Sequence, residues 1–236
     1  MGHVHSSAGD GPSEGSAGAY RAPVRPLDAI ADLLLPVRCP ACPRPACPAP
    51  AALCARCDAA ATTLALPDLG AAELADGVIA VGGYAYAGVV RDAIRGMKVG
   101  GRWAAAPELG RRVLARVGPL PPAAAVTWVP STRRRVRERG MDLPRLLAGP
   151  RAVALLEKVE ERPDQTALDP AARRRSPRGA FRATGPVPGS VVLVDDVRTT
   201  GGTAVAAGLA LHAAGAHRVL VVTLAVGGDD ARATTG

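Results

Sequence analysis

Aromatic side chains are scarce in this chain: among 236 residues there are one Phe, two Trp and three Tyr, 3% in all. A nucleic-acid binder that stacks bases on aromatic platforms is therefore an unfavourable reading. Long apolar runs are missing too, and none approaches the roughly 18 consecutive residues that a membrane span needs. The first residues, Met1-Gly-His-Val-His-Ser-Ser, lack the basic and apolar regions of a secretory leader, so the expectation is a soluble cytoplasmic protein. Cysteine is absent outside the stretch from Cys39 to Cys57, which argues against a disulfide framework spread through the fold. What remains is ordinary for a globular protein, with 48% hydrophobic and 21% charged residues in a length suited to one or two domains. The formal charge of +8 and the pI near 9.9 call for an anionic partner, whether DNA, RNA or a polyphosphate.

Composition changes along the chain divide it. Residues 1–26 are rich in Gly, Ser, Ala and Pro without a hydrophobic period and predict a disordered tail. Residues 27–36 place Leu27, Ile30, Ala31 and Leu34 at helical spacing, and Pro36 stops the run. With the cysteine segment they make an N-terminal unit over 27–77. From residue 78 helices and strands alternate. A strand or hairpin is expected over 78–86 with Gly82-Gly83 as a bulge or turn. Helices follow over 89–97 and 103–117, a short strand over 126–129, a basic loop at 133–139 and a mainly helical stretch over 143–159. Strand 191–194, helix 203–214 capped by Gly215 and strand 218–226 then form a βαβ unit, hence a parallel sheet. This α/β domain should span 78–228, with a frayed tail over 229–236.

The most specific string is Ser190-Val-Val-Leu-Val-Asp-Asp-Val-Arg-Thr-Thr-Gly-Gly-Thr203. A continuous β-branched run suits a strand buried on both faces, and it ends in Asp195 and Asp196 where a parallel strand reaches its C-terminal edge. Open α/β sheets bind ligands outside that edge. The residues Thr199, Thr200, Gly201, Gly202 and Thr203 offer hydroxyls, backbone N–H groups and a helix N-terminus, which suit a phosphate monoester. Two adjacent carboxylates repel phosphate, but they accept hydrogen bonds from vicinal ribose hydroxyls, directly or through a divalent cation. The chemistry implied is a ribose 5-phosphate held at both ends. A second basic string, Val129-Pro-Ser-Thr-Arg-Arg-Arg135 followed by Val136-Arg-Glu-Arg-Gly140, leaves another strand at its C-terminal edge.

The cysteines make two C-x₂-C pairs, Cys39-Pro-Ala-Cys42 and Cys54-Ala-Arg-Cys57. Each pair clasps a metal from one tight knuckle, and together they close a tetrahedral Cys₄ zinc ribbon of structural type. Cys47, midway between them, is read as a spare thiol, the alternative being that it replaces one of the four.

The string from Ser190 to Thr203 resembles the phosphoribosyl pyrophosphate (PRPP) binding motif of type I phosphoribosyltransferases. That resemblance implies that Asp195 and Asp196 act on the ribose hydroxyls as the catalytic carboxylates, and that residues 199–203 hold the 5-phosphate. It also implies Mg²⁺ bridging ribose and pyrophosphate, with Ser131, Arg133 and Arg139 as pyrophosphate contacts. A Cys₄ ribbon joined to such a domain resembles the ComF family of bacterial competence proteins over about residues 27–226. The further marks are Tyr84-Ala-Tyr-Ala-Gly-Val-Val-Arg-Asp-Ala-Ile-Arg-Gly-Met-Lys98, Val129-Pro with Arg139-Gly140, and Gln165-Thr-Ala-Leu168 leading to Arg178-Gly-Ala-Phe181. The family pattern also gives Lys98 a role at the pyrophosphate.

This chain departs from that pattern at Arg139-Gly-Met-Asp-Leu143, at Ala167 and at Ser176, which changes amide-bearing positions on the acceptor side. The implied architecture is a zinc ribbon before a type I phosphoribosyltransferase-like α/β domain with a mainly parallel sheet flanked by helices. The implied function is Mg²⁺-dependent transfer of a phosphoribosyl group from PRPP to an unidentified acceptor. The alternative is a non-catalytic PRPP-binding or DNA-uptake factor that contacts single-stranded DNA or a helicase.

Overall fold

The computed structural model describes residues 38–45, 52–159 and 179–228. The expected tails, the helix over 27–36, Cys47, the Gln165 string, Ser176 and the arginine run 173–175 lie outside the described residues.

Five strands form the main sheet: β1 (Ala72–Ala75), β2 (Val78–Ala85), β3 (Ala125–Trp128), β6 (Ser190–Arg198) and β7 (Arg218–Val226). Two more, β4 (Leu156–Lys158) and β5 (Phe181–Ala183), make a separate antiparallel ribbon. The main sheet runs β1-β2-β7-β6-β3, with β1 antiparallel to β2 and the other four strands parallel. Around it lie α1 (Ala55–Thr62), α2 (Gly88–Lys98), α3 (Ala106–Val117), α4 (Arg133–Arg139), α5 (Leu143–Ala148) and α6 (Gly202–Ala213).

The central strands are apolar on both faces because both faces are covered. Along β6, Val192 and Val194 join the cluster built with Ile94 and Met97 of α2, Val113 of α3 and Leu147 of α5. Val191 and Leu193 point the other way, into a cluster with Ala207 and Leu211 of α6 and with Leu156 and Phe181 of the ribbon. The sheet thus separates two crossovers. The path from β2 to β3 passes over one face through α2 and α3, and α6 carries β6 to β7 over the other. Since α5 follows β3 onto the first face and α6 follows β6 onto the second, the connections diverge between neighbouring strands β3 and β6. A crevice opens at such a point, at the strands' C-terminal ends.

Several local expectations need correcting. Gly82 and Gly83 form neither turn nor bulge: both sit inside β2. Their missing side chains make room for neighbours, since a Cβ would lie 2.3 Å from Val226 Cγ2 at Gly82 and 2.5 Å from Val113 Cγ2 at Gly83. The hairpin lies earlier, with β1 turning into β2 through Asp76 and Gly77. The basic stretch 133–139 is a short helix rather than a loop, because Thr132 caps it by accepting the Arg135 N–H at 3.3 Å. The stretch 143–159 is helical only to Ala148. Gly149, at φ +83°, and Pro150 end α5, and the apolar residues beyond run into β4 instead. The strand expected over 191–194 continues to Arg198, so both carboxylates belong to β6 itself. No helix among the described residues is long and apolar enough to cross a membrane.

Candidate functional site

At the C-terminal end of β6, Asp195 and Asp196 face different walls of the crevice. Asp196 meets Lys98 from the last turn of α2, with Nζ 2.6 Å from Oδ2 and both side chains largely buried. Asp195 accepts the Asp196 backbone N–H at 2.8 Å through Oδ1. Burial, reinforced by the neighbouring Asp196 charge, pushes the Asp195 carboxyl up to about 8, against the opposing pull of that N–H, Lys98 and Lys158. Asp195 lines one pocket with Thr199, Thr200, Gly201, Gly202 and Thr203. Thr199, Thr200 and Thr203 are exposed to solvent there. Gly201 stands at φ +74° as the residue before α6, a left-handed conformation that glycine adopts without strain. Gly202, Thr203 and Ala204 at the start of α6 also line the pocket, and the free N–H groups of a helix N-terminus suit anions. Below the pocket, buried Arg198 donates from Nη2 to the Gly70 carbonyl at 2.8 Å and ties β6 to the segment before β1.

The opposite lip is built by the loop after β3. Asp142 Oδ2 accepts from Trp128 Nε1 at 3.0 Å and from the Ser131 backbone N–H at 3.3 Å, which fixes Ser131 at the strand end. The other oxygen of Asp142, Oδ1, is buried without a hydrogen-bond partner. Arg133 opens α4 on its exposed side, and Arg139 closes it half-buried.

The structure therefore brings together Asp195, Asp196, Lys98 and residues 199–203, and places Ser131, Arg133 and Arg139 on the neighbouring β3 loop and helix. Two further residues belong with them. Lys158, at the end of β4, lies within electrostatic reach of Asp195, Asp142 and Arg135. Its signal in the sequence was weak, a single lysine leading into a charged stretch. Asp142 was visible only as a departure from the resembled pattern.

The four described cysteines form a second cluster of candidate ligands. The Sγ atoms of Cys39, Cys42, Cys54 and Cys57 all lie within 4.8 Å of one another, and Cys42 and Cys54 are 3.7 Å apart. Zn–S bonds of about 2.3 Å in a tetrahedron give S···S edges of about 3.8 Å, so the four thiols fit a zinc ion. Cys39-Pro-Ala-Cys42 forms a tight knuckle closed by the Cys39 N–H bonding the Arg44 carbonyl at 2.9 Å. Cys54 precedes α1, whose first turn carries Cys57, and a helix N-terminus favours thiolate.

Without a cation the four thiols cannot all ionise. Burial pushes Cys39 up, and burial together with the neighbouring thiols pushes Cys57 up strongly. For Cys54 burial also opposes ionisation. The Cys57 backbone N–H and the thiols of Cys57, Cys42 and Cys39 outweigh it and bring Cys54 down to about 7. Arg102 braces the knuckle by donating from Nη1 to the Cys39 and Cys42 carbonyls, at 3.2 and 3.1 Å.

Compared with models of known protein families and with curated proteins, the chain matches none of them.

Proposed function

We propose that the chain binds PRPP in the crevice between β3 and β6 and is a type I phosphoribosyltransferase-like protein that passes the phosphoribosyl group to an acceptor. One observation carries this reading: Asp195 and the Thr199–Thr203 turn line a single pocket at the C-terminal end of β6. The turn and the α6 N-terminus suit the 5-phosphate, and the carboxylate pair suits the two ribose hydroxyls. Mg²⁺, when bound with the ligand, would neutralise charge on the pyrophosphate and help it leave. In the transfer, the bond from ribose C1 to the pyrophosphate oxygen breaks as the acceptor's lone pair bonds to C1, and pyrophosphate departs with the electron pair. Positive charge develops on the ribose ring meanwhile, and the negative charge that the Asp195–Asp196 pair carries would stabilise it. Ser131, Arg133, Arg139 and Lys98 supply donors and positive charge around the leaving group.

The test is calorimetric titration with PRPP and Mg²⁺, followed by a pyrophosphate-release assay across a metabolite library. PRPP binding that the double substitution Asp195→Asn, Asp196→Asn leaves unchanged sinks the site. Binding without release against any acceptor favours the non-catalytic role.

A second reading rests on α4, where Arg133, Arg134, Arg135 and Arg137 are all exposed on one short helix. That arrangement suits a phosphate backbone, and with a zinc-bound ribbon it would support contact with single-stranded DNA or a helicase, as in a competence factor. Affinity for single strands should then fall steeply with salt and weaken when these arginines are removed.

A further inference from the structure

The last turn of α2 meets two parts of the molecule at once. Lys98, its final residue, holds the Asp196 carboxylate at 2.6 Å. Two residues earlier, Gly96 lies so tightly against the first cysteine knuckle that a Cβ would stand 1.9 Å from the Pro40 carbonyl oxygen. Met97, between them, is fully buried in the cluster that also contains Cys39, Cys54 and Cys57. The chain beyond Lys98 then folds back. The Gly96 carbonyl accepts the Gly100 N–H at 3.0 Å and the Arg102 N–H at 3.3 Å, which closes 96–102 into a loop. From that loop the Arg102 side chain reaches the knuckle, with Nη1 donating to the carbonyls of both Cys39 and Cys42. Gly96 and Gly100 give the guanidinium its room: a Cβ on either would lie 3.1 Å from one of its nitrogens.

Among the described residues little else holds this loop. Val99 is 87% exposed, and a Cβ on Gly101 would meet nothing within 4 Å. Segments with so few packed contacts are the least stable parts of a fold, and their position follows the contacts they keep. No carboxylate among the described residues pairs with Arg102, so its charge is offered to the knuckle. Four thiolates around a zinc ion carry net negative charge, which a guanidinium at their backbone carbonyls offsets. Four protonated thiols give it nothing to offset. Metal binding would also tie Cys39 and Cys42 to Cys54 and Cys57, and so fix the knuckle on which Arg102 and Gly96 rest. The chemistry that closes the cysteine cluster therefore stiffens the turn that carries Lys98.

We propose that Arg102 is a positioning residue that couples the cysteine site to the crevice: with zinc in the four thiolates, it braces the last turn of α2 and holds Lys98 on Asp196. Loss of the metal loosens that brace and lets the ammonium leave the carboxylate. The assignment concerns the protein's own ion pair, so it does not depend on which ligand the crevice takes.

Lys98 and Lys158 are the only lysines in the chain, so reductive methylation with ¹³C-formaldehyde labels two side chains and the amino terminus while keeping their charge. Lys98→Arg assigns the Lys98 resonance by NMR, and Asp196→Asn marks where it falls when the ion pair is broken. At saturating zinc, Arg102→Ala should move the Lys98 resonance most of the way toward the Asp196→Asn position and leave Lys158 unmoved. Chelating zinc from the wild-type protein should do the same, adding zinc back should reverse it, and this arm decides the matter if the variant does not fold. A Lys98 resonance unmoved by Arg102→Ala, or by chelation, overturns the coupling. Movement of both lysines together overturns it as well, because the arginine or the metal would then support the whole fold. A protein that shows the Lys98 shift yet binds no PRPP keeps the coupling and loses only the phosphoribosyl reading.

Discussion

Lys98 and Asp196 close the crevice on its α2 side: the ammonium sits 2.6 Å from the carboxylate, with side-chain exposures of 25% and 13%. This ion pair holds the Asp196 carboxylate beside Asp195 and offsets the repulsion between the two. Without Lys98, two adjacent carboxylates at a covered strand end would lack their principal counter-charge.

Lys98→Met should therefore destabilise the fold by about 1–3 kcal/mol, the usual cost of leaving a charged group without its partner. In a double-mutant cycle with Asp196→Asn, urea unfolding should return a coupling of about 0.5–3 kcal/mol. A coupling indistinguishable from zero would mean that the pair contributes nothing to stability, as with many exposed ion pairs.

The raised Asp195 carboxyl makes stability depend on pH in a definite direction. An unfolded aspartate titrates near 4, whereas burial and Asp196 lift Asp195 to about 8 in the fold. Between those values the native state holds more protons than the unfolded one. The contribution of this group to stability therefore falls as pH rises through the window. Asp195→Asn removes the titration. Urea unfolding of both proteins at about pH 5 and about pH 8 should show the wild type losing stability relative to the variant. A wild type that gains relative to Asp195→Asn would show that Asp195 is stabilised as the anion.

The legibility of this fold follows burial. Residues 190–226 were readable because strands covered on both faces must be apolar without interruption, and few other elements produce such runs. The two C-x₂-C pairs were readable because a tetrahedral thiolate site fixes their spacing. The ribbon was not. Val153, Leu155, Leu156 and Val159 fit a helical period as well as a strand, although Gly149-Pro150 marked the break. Lys158 acquires its surroundings only when a strand pairing sets it opposite Phe181. Asp142 likewise showed only as a departure from the resembled pattern, and only the fold reveals that it accepts from the Trp128 indole and the Ser131 N–H.

The cysteine cluster predicts metal content. The purified chain should carry about one equivalent of zinc, and Cys54→Ser should lose it, as measured by elemental analysis. Four thiols must shed protons to bind zinc, and Cys39 and Cys57 hold theirs tightly. Zinc affinity should accordingly fall steeply as pH drops, with proton release on binding visible by calorimetry. Full zinc retention in Cys54→Ser would mean that the metal sits elsewhere or that another residue replaces the thiolate.

Two glycines separate the knuckle's packing from general stability. A Cβ on Gly96 of α2 would lie 1.9 Å from the Pro40 carbonyl oxygen, in the middle of the first knuckle. A Cβ on Gly110 of α3 would lie equally close, 1.9 Å, to the Leu147 carbonyl oxygen, where two helices meet away from the cysteines. Both clashes are with backbone, so each alanine substitution forces a segment to move and should cost about 1–3 kcal/mol. Their effects on zinc should differ. Gly96→Ala displaces the loop between Cys39 and Cys42 and disturbs the carbonyls that Arg102 holds, so zinc affinity should drop along with stability. Gly110→Ala should lower the unfolding midpoint while leaving zinc affinity unchanged. Chelator competition on the two variants reads this directly. Equal zinc affinity in both would show that the knuckle holds its geometry independently of α2, and that the cysteine site is set by its own turns alone.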